Sequence, residues 1–226
     1  MKNSKLIEAT IDFVKQTLNG AEGGHDWFHT ERVFKTAKLI SNSEKVDTLV
    51  VRLAALLHDI ADPKFHNGDE SVGPKIAKEF LESREVGTYI IEHVVNIIKH
   101  MSFKNSLEKK QSIFTSKELH VVQDADRLDA IGAIGIARAF NYGGFKNREL
   151  YNPNVSPNLN MTKEEYKKSN TPTINHFYEK LLLLKDKMNT ETGKKLAEKR
   201  HQYMLGFLEQ FYSEWSPSKI SQLRKT

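Results

Sequence analysis

The chain contains no cysteine. Disulfides and thiolate metal sites are therefore excluded, and a reducing, intracellular compartment is expected. A long apolar run is also lacking: the most hydrophobic stretch, residues 49–57, is interrupted by Arg52 and is far too short to span a bilayer. The opening residues 1–8 carry neither the apolar segment nor the small-residue cleavage site of a signal peptide. A cytoplasmic protein with no membrane partner is the expectation. Internal repeats, low-complexity tracts and segments that read as strands are absent too. A chain of 226 residues can bury a continuous core without disulfide or metal staples, so one domain spanning 1–226 is expected.

What the sequence does contain is helical periodicity, and the fold class it predicts is all-α. Ile7, Ile11, Val14 and Leu18 recur at helical spacing, and Asn19-Gly20 closes that first helix. A second helix starts near Asp26 or Trp27 and turns Val33, Ala37 and Ile40 inward. The third, about 45–61, carries Leu49, Leu53, Leu56 and Leu57 on one face and is broken by Asp62-Pro63. Two more span roughly 69–82 and 86–100, and 102–117 reads as a loop. From about 116 to 140 one helix is expected, its small face formed by Ala125, Gly132, Gly135 and Ala139. Residues 141–172, with Asn-Tyr-Gly-Gly and three prolines, are a candidate lid or insertion. Closing helices are expected at about 174–188 and 191–214, with Phe177, Leu181, Leu184, Leu196, Tyr203, Phe207 and Phe211 as apolar positions.

The formal net charge of +5 comes from lysine clusters at 104–118, 146–168, 194–200 and 219–225. Such an excess favours an anionic partner. In the C-terminal clusters Glu and Lys alternate along helix faces, which reads as a solvated surface instead.

Four separated residues of metal-ligand type stand out: His29, the adjacent His58-Asp59, and Asp126 within Asp124-Ala125-Asp126-Arg127-Leu128-Asp129. Two imidazoles and two carboxylates suit a divalent ion such as Mn, Fe, Co, Ni or Zn and suit Ca or Mg poorly. A metal held by few protein groups keeps positions open for water and substrate, the arrangement of a hydrolase. Each motif alone has a plainer reading. His29 can be a partly buried or capping residue, and Asp26 can be a helix N-cap. The His58-Asp59 pair ends an apolar helix, where a carboxylate needs a cation, and Arg127 would serve as well as a metal. Among the three aspartates, Asp124 and Asp126 point to nearly opposite faces whereas Asp126 and Asp129 share one, so only some can serve one site.

Taken in order, His25-Asp26-Trp27-Phe28-His29 with Arg32-Val33, Leu57-His58-Asp59-Ile60-Ala61-Asp62 and Asp124-Ala125-Asp126-Arg127-Leu128-Asp129-Ala130-Ile131-Gly132 resemble the H…HD…D signature of the HD superfamily of metal-dependent phosphohydrolases, and within it the YpgQ/YedJ-type bacterial branch. The resemblance covers about residues 20–140. It implies a helical HD-type bundle in which His29, His58, Asp59 and Asp126 bind one divalent metal, with Asp124 as the other candidate for the last ligand. Members with two metals carry a His-His-Glu run where this chain has His100-Met101-Ser102, which implies a single ion here. The branch further implies hydrolysis of nucleoside triphosphates to monophosphate and pyrophosphate, most active with manganese.

A divalent ion lowers the pKa of water and polarises a phosphoryl oxygen, so no serine or cysteine nucleophile is required. Asp62, one helical turn after Asp59, is the candidate to orient or deprotonate that water, and a C-terminal turn stabiliser before Pro63 is its plainer role. Cationic candidates for the substrate phosphates are Lys64, His66, Lys99, His100, Arg127 and Arg138. The expected partner is thus a small phosphorylated molecule, a nucleotide by the resemblance. The same site would serve a 5′-nucleotidase or a phosphodiesterase. A non-catalytic basic module for nucleic acid or an acidic partner is the competing class, but aromatic and basic residues are not interleaved as a stacking surface requires.

Overall fold

Local signals in the sequence set where the helices begin. In the computed structural model, which describes residues 2–20, 26–61, 69–101, 114–162, 165 and 169–216, α1 spans Lys2–Thr17, α2 Trp27–Ser41, α3 Thr48–Leu57, α4 Val72–Ser83 and α5 Thr88–His100. They are followed by α6 (Lys117–Asp129), α7 (Gly132–Phe145), α8 (Thr173–Glu179), a 3-10 helix at Leu181–Lys187 and α9 (Glu191–Trp215). Among the described residues there is no strand, and the fold is all-α. Asp26 caps α2 by accepting from the His29 amide, Asp47 caps α3 through the amides of Leu49 and Val50, and Ser116 caps α6 through Leu119. No helix of the described residues is long and apolar enough to cross a membrane.

The most apolar helix, α3, lies at the centre. Val50, Val51 and every residue from Leu53 to Leu57 are buried, against α1, α2, α5 and α6. The other hub, α6, touches α2, α3, α5, α7 and α9, so its faces look in several directions at once. Helix α3 is shorter than its periodicity predicts. The Asp47 cap fixes its start, and the chain turns at its C-cap, His58, so His58 and Asp59 stand on the turn rather than inside the helix.

The single helix expected over 116–140 is two. It stops at Asp129, and α7 begins at Gly132, whose φ of +77° is left-handed and cannot continue a right-handed helix. The turn is tight: a Cβ on Gly135 would lie 2.2 Å from the Ala130 carbonyl oxygen. The small face read as helix packing therefore serves a corner. Helix α7 runs on to Phe145, so the irregular part of 141–172 starts only after it. The helix expected over 174–188 is also interrupted, at Lys180, where α8 gives way to the 3-10 helix. Phe140, Phe177 and Phe207 join α7, α8 and α9, with ring centroids 5.8 to 6.1 Å apart. Along α9 the buried positions are Gly193, Ala197, Met204 and Leu208, while Tyr203 is 60% exposed.

Candidate metal centre

Helices α2, α3 and α6 meet where their polar residues face inward. His29, on the first turn of α2, is 2% exposed; its Nδ1 lies 2.8 Å from Asp129 Oδ2, and its Nε2 lies 3.6 Å from Asp126 Oδ1 and 3.9 Å from Asp59 Oδ2. At the end of α3, His58 directs Nδ1 to the Ala55 carbonyl at 2.9 Å and Nε2 to Asp126 Oδ1 at 3.9 Å. The two rings stand edge to face, 5.4 Å apart. One ligand atom each from His29, His58 and Asp126 falls within 4.8 Å of the others, and Asp59 adjoins through His29.

The partners on the far side of each ring fix the chemistry on the near side. A carbonyl oxygen only accepts, so an uncharged His58 carries its proton on Nδ1 and presents the Nε2 lone pair. Asp129 does the same for His29. Burial lowers the basicity of the His29 imidazole against the opposing pull of Asp129 and Asp126. The near side thus gathers two imidazole lone pairs and carboxylate oxygens at separations too long for hydrogen bonds. His58 Nε2 is buried and has no hydrogen-bond partner. Converging acceptors around an orphaned nitrogen are costly unless a cation satisfies them, so these residues fit a divalent metal. The Asp126 side chain is 40% exposed, which leaves that side of the cluster open to solvent.

The flanking aspartates do different work. Asp124 is fully buried and accepts from the Asn189 amide, the Asn189 side chain, and the Thr190 amide and hydroxyl at 2.7 to 3.0 Å. It holds the N-terminus of α9, and only a glycine fits at 193, where a Cβ would lie 2.4 Å from its Oδ2. Asp126, not Asp124, is therefore the aspartate that faces the histidines. Asp129 accepts from Arg32 Nε at 2.6 Å and Nη2 at 3.0 Å, and from Arg138 Nη1 at 2.6 Å, besides His29. Burial alone would raise its pKa, but the hydrogen bonds from His29 and Arg32 and the charge of Arg138 hold it well below the carboxylate range.

The expected phosphate-binding residues are placed variously. Arg127 is not brought to the histidines: its guanidinium donates to the Lys187 carbonyl and lies 3.7 Å from Asp124, tying α6 to the 3-10 helix. Arg138 is committed to Asp129. Lys99 is exposed on the last turn of α5. His100 directs Nδ1 to the Asn96 carbonyl and packs on Phe114 with ring centroids 5.4 Å apart. Asp62, Lys64 and His66 lie outside the described residues. What sequence reasoning missed is that Arg32, Asp129 and Arg138 assemble behind His29. The signal was present as two facing pairs at i, i+3 spacing, His29 with Arg32 on α2 and Asp126 with Asp129 on α6.

The chain is similar to known proteins over the region that holds this cluster. The HD domain model matches residues 27–131, a segment that holds every member of the cluster. YpgQ of Bacillus subtilis is 39% identical over 214 residues, covering 93% of this chain and 94% of that protein. The crystal structure of an HD-superfamily hydrolase from Bacillus thuringiensis superposes with a TM-score of 0.74 at 44% identity, covering 94% of this chain and 98% of that one. The crystal structure of B. subtilis YpgQ in complex with ADP gives a TM-score of 0.74 at 34% identity over the superposed chains, covering 95% and 97%.

Proposed function

This chain belongs to the HD domain family, and on that premise we propose that it is a metal-dependent phosphohydrolase that converts ribo- or deoxyribonucleoside triphosphates to the monophosphate and pyrophosphate. The observation that carries the metal-dependent part is the convergence of ligand atoms of His29, His58 and Asp126 within 4.8 Å, with the buried His58 Nε2 lacking a hydrogen-bond partner. We assign His29, His58, Asp59 and Asp126 as the ligands of one divalent ion, with manganese first and Fe, Co, Ni or Zn as alternatives by donor type. When bound, the ion supplies Lewis acidity toward a phosphoryl oxygen and toward water.

The remaining roles fall to the chain itself. The imidazoles keep Nε2 as a lone pair because Nδ1–H donates to Asp129 in His29 and to the Ala55 carbonyl in His58. Asp59 and Asp126 balance positive charge, and the open flank at Asp126 admits a phosphate. Asp62, three residues after Asp59 in the sequence, is our candidate to take the proton from the attacking water. Lys64 and His66, immediately beyond it, are candidates for the phosphate oxygens. The nucleotide part of the reading is supported by the YpgQ structure with ADP and by the sequence resemblance.

The test is elemental analysis of the purified protein, followed by incubation with manganese and a panel of nucleotides, with pyrophosphate and orthophosphate measured separately. Pyrophosphate from triphosphates, abolished in His58→Ala, is the expected result. Orthophosphate from monophosphates alone would make the protein a 5′-nucleotidase, and cleavage of a diester would make it a phosphodiesterase. Absence of turnover with every metal, combined with salt-sensitive RNA or DNA binding, would sink the enzymatic reading.

A further inference from the structure

We propose that Asp129 is a positioning residue for the metal centre, holding His29 as the Nδ1–H tautomer with Nε2 turned to Asp126 and Asp59, and that Arg138 on α7 joins Arg32 on α2 in fixing that carboxylate. The inference rests on the metal reading above and adds a role for residues outside the four ligands.

The geometry separates Asp129 from a ligand and from a surface acid. It is 4% exposed, and it meets His29 at Nδ1, whereas Asp126 and Asp59 lie on the Nε2 side of the ring. Oδ2 accepts from His29 Nδ1 at 2.8 Å, Arg138 Nη1 at 2.6 Å and Arg32 Nη2 at 3.0 Å, while Oδ1 accepts from Arg32 Nε at 2.6 Å. Four donors thus fix a side chain with only two rotatable bonds. A single bidentate arginine would already neutralise the carboxylate. The second guanidinium adds orientation: approaching Oδ2, it leaves the carboxylate no freedom to swing away from the imidazole.

The consequence for His29 follows from donor and acceptor rules. A carboxylate offers no hydrogen to a ring nitrogen, so the imidazole proton must sit on Nδ1, and Nε2 is left as a lone pair aimed at the centre. Such outer partners fix ring orientation and raise ligand basicity, and their loss typically costs about 10- to 100-fold in metal affinity. Arg138 lies beyond residue 131, where the HD match ends. Helix α7 is therefore coupled to the centre through the Arg138 guanidinium. The break between α6 and α7 makes this possible, because the corner at Gly132 and Gly135 returns α7 toward Asp129.

The experiment reads two quantities. Proton–nitrogen spectra of metal-free protein with labelled histidines report the His29 tautomer, assigned by its loss in His29→Gln; the spectrum of free manganese gives the dissociation constant. In the wild type His29 should be the Nδ1–H form. Asp129→Asn places an amide against either His29 or Arg32, so it should shift His29 toward the Nε2–H form and weaken manganese binding about 10- to 100-fold. Arg138→Gln should weaken binding several-fold with a smaller tautomer change. The core truncation Val122→Ala should lower the melting midpoint and move neither readout. An unchanged tautomer and manganese affinity within about twofold in Asp129→Asn, or in Arg138→Gln if the former does not fold, would overturn the proposal. If wild type and His58→Ala bind manganese equally, the metal reading itself is wrong, and the tautomer measurement still decides what Asp129 does.

Discussion

Asp124 and Asp126 are two residues apart on one helix, and the structure gives them opposite surroundings. Asp124 meets only donors: the amides and side chains of Asn189 and Thr190 surround a fully buried carboxylate. Asp126 meets ring nitrogens whose protons are held elsewhere, and it is partly open to solvent. The first carboxylate is satisfied by the protein alone and acts as a strut between α6 and α9. The second faces His29 and His58 at 3.6 and 3.9 Å on one side and solvent on the other, the surroundings expected of the proposed ligand. Charge and residue type are the same, so the distinction between a structural acid and a ligand lies in what each acid faces.

Substitution should split the pair most sharply. Asp126→Ala should reduce metal-dependent hydrolysis by roughly a thousandfold or more, since it removes a proposed ligand, while the melting midpoint of the metal-free protein stays near that of the wild type. Asp124→Ala should do the reverse. Stranding the buried donors of Asn189 and Thr190 should cost about 3–5 kcal/mol, seen as a melting midpoint lower by roughly 10 °C, with activity per folded molecule retained. Equal loss of activity in both variants, corrected for folded fraction, would remove the distinction.

The sequence made much of this legible, and the limits have a physical pattern. Helical periodicity located α2 and α3, because Val33, Ala37, Ile40, Leu53, Leu56 and Leu57 are core positions spaced by the helix itself. The separation of Asp124 from Asp126 onto different faces was legible for the same reason. Which face meets the histidines was not, since spacing within a helix carries no information about the element opposite. The corner between α6 and α7 escaped because Gly132 and Gly135 fit a helical small-residue face equally well, and only the left-handed φ and the Ala130 carbonyl reveal the turn. His58-Asp59 was legible as a polar pair ending an apolar helix. Its position on the turn was not, because the apolar pattern runs on through Ile60 and Ala61 while the helix stops at Leu57 with His58 as its C-cap.

Metal removal sharpens the comparison at intermediate scale. An ion that binds only the folded state stabilises it by RT ln(1 + [M]/Kd), about 2.7 kcal/mol at a hundredfold excess over Kd. Wild type and Asp124→Ala should gain this increment alike when manganese replaces EDTA, although they start from different midpoints. Asp126→Ala should gain much less. A manganese increment that disappears in Asp124→Ala would mean that the α9 anchor and the centre are one cooperative unit, not two independent uses of α6.

The smallest effect concerns acid, and it contrasts the surroundings of α6 again. On the metal side, Asp129 is held ionised far into acid by His29, Arg32 and Arg138, so that pole keeps its charge at mildly low pH. On the C-terminal side, desolvation of the half-buried His176 in α8, with Lys180 and Arg148 nearby, pushes its imidazole down to about 3. An unfolded histidine titrates near 6.5, so between pH 6.5 and 3 the unfolded chain binds a proton that folded His176 refuses. Stability is full above that window and falls as pH drops through it, by no more than about 1 kcal/mol per pH unit for a ring that retains some solvent contact. His29, also lowered by burial, adds in the same direction and is common to both proteins compared. Urea unfolding of the metal-free protein at pH 7, 6, 5 and 4 should therefore fall less steeply for His176→Gln than for the wild type. Parallel curves would show that the C-terminal helices do not contribute to acid sensitivity and would confine it to the side of α6 that carries the histidine cluster.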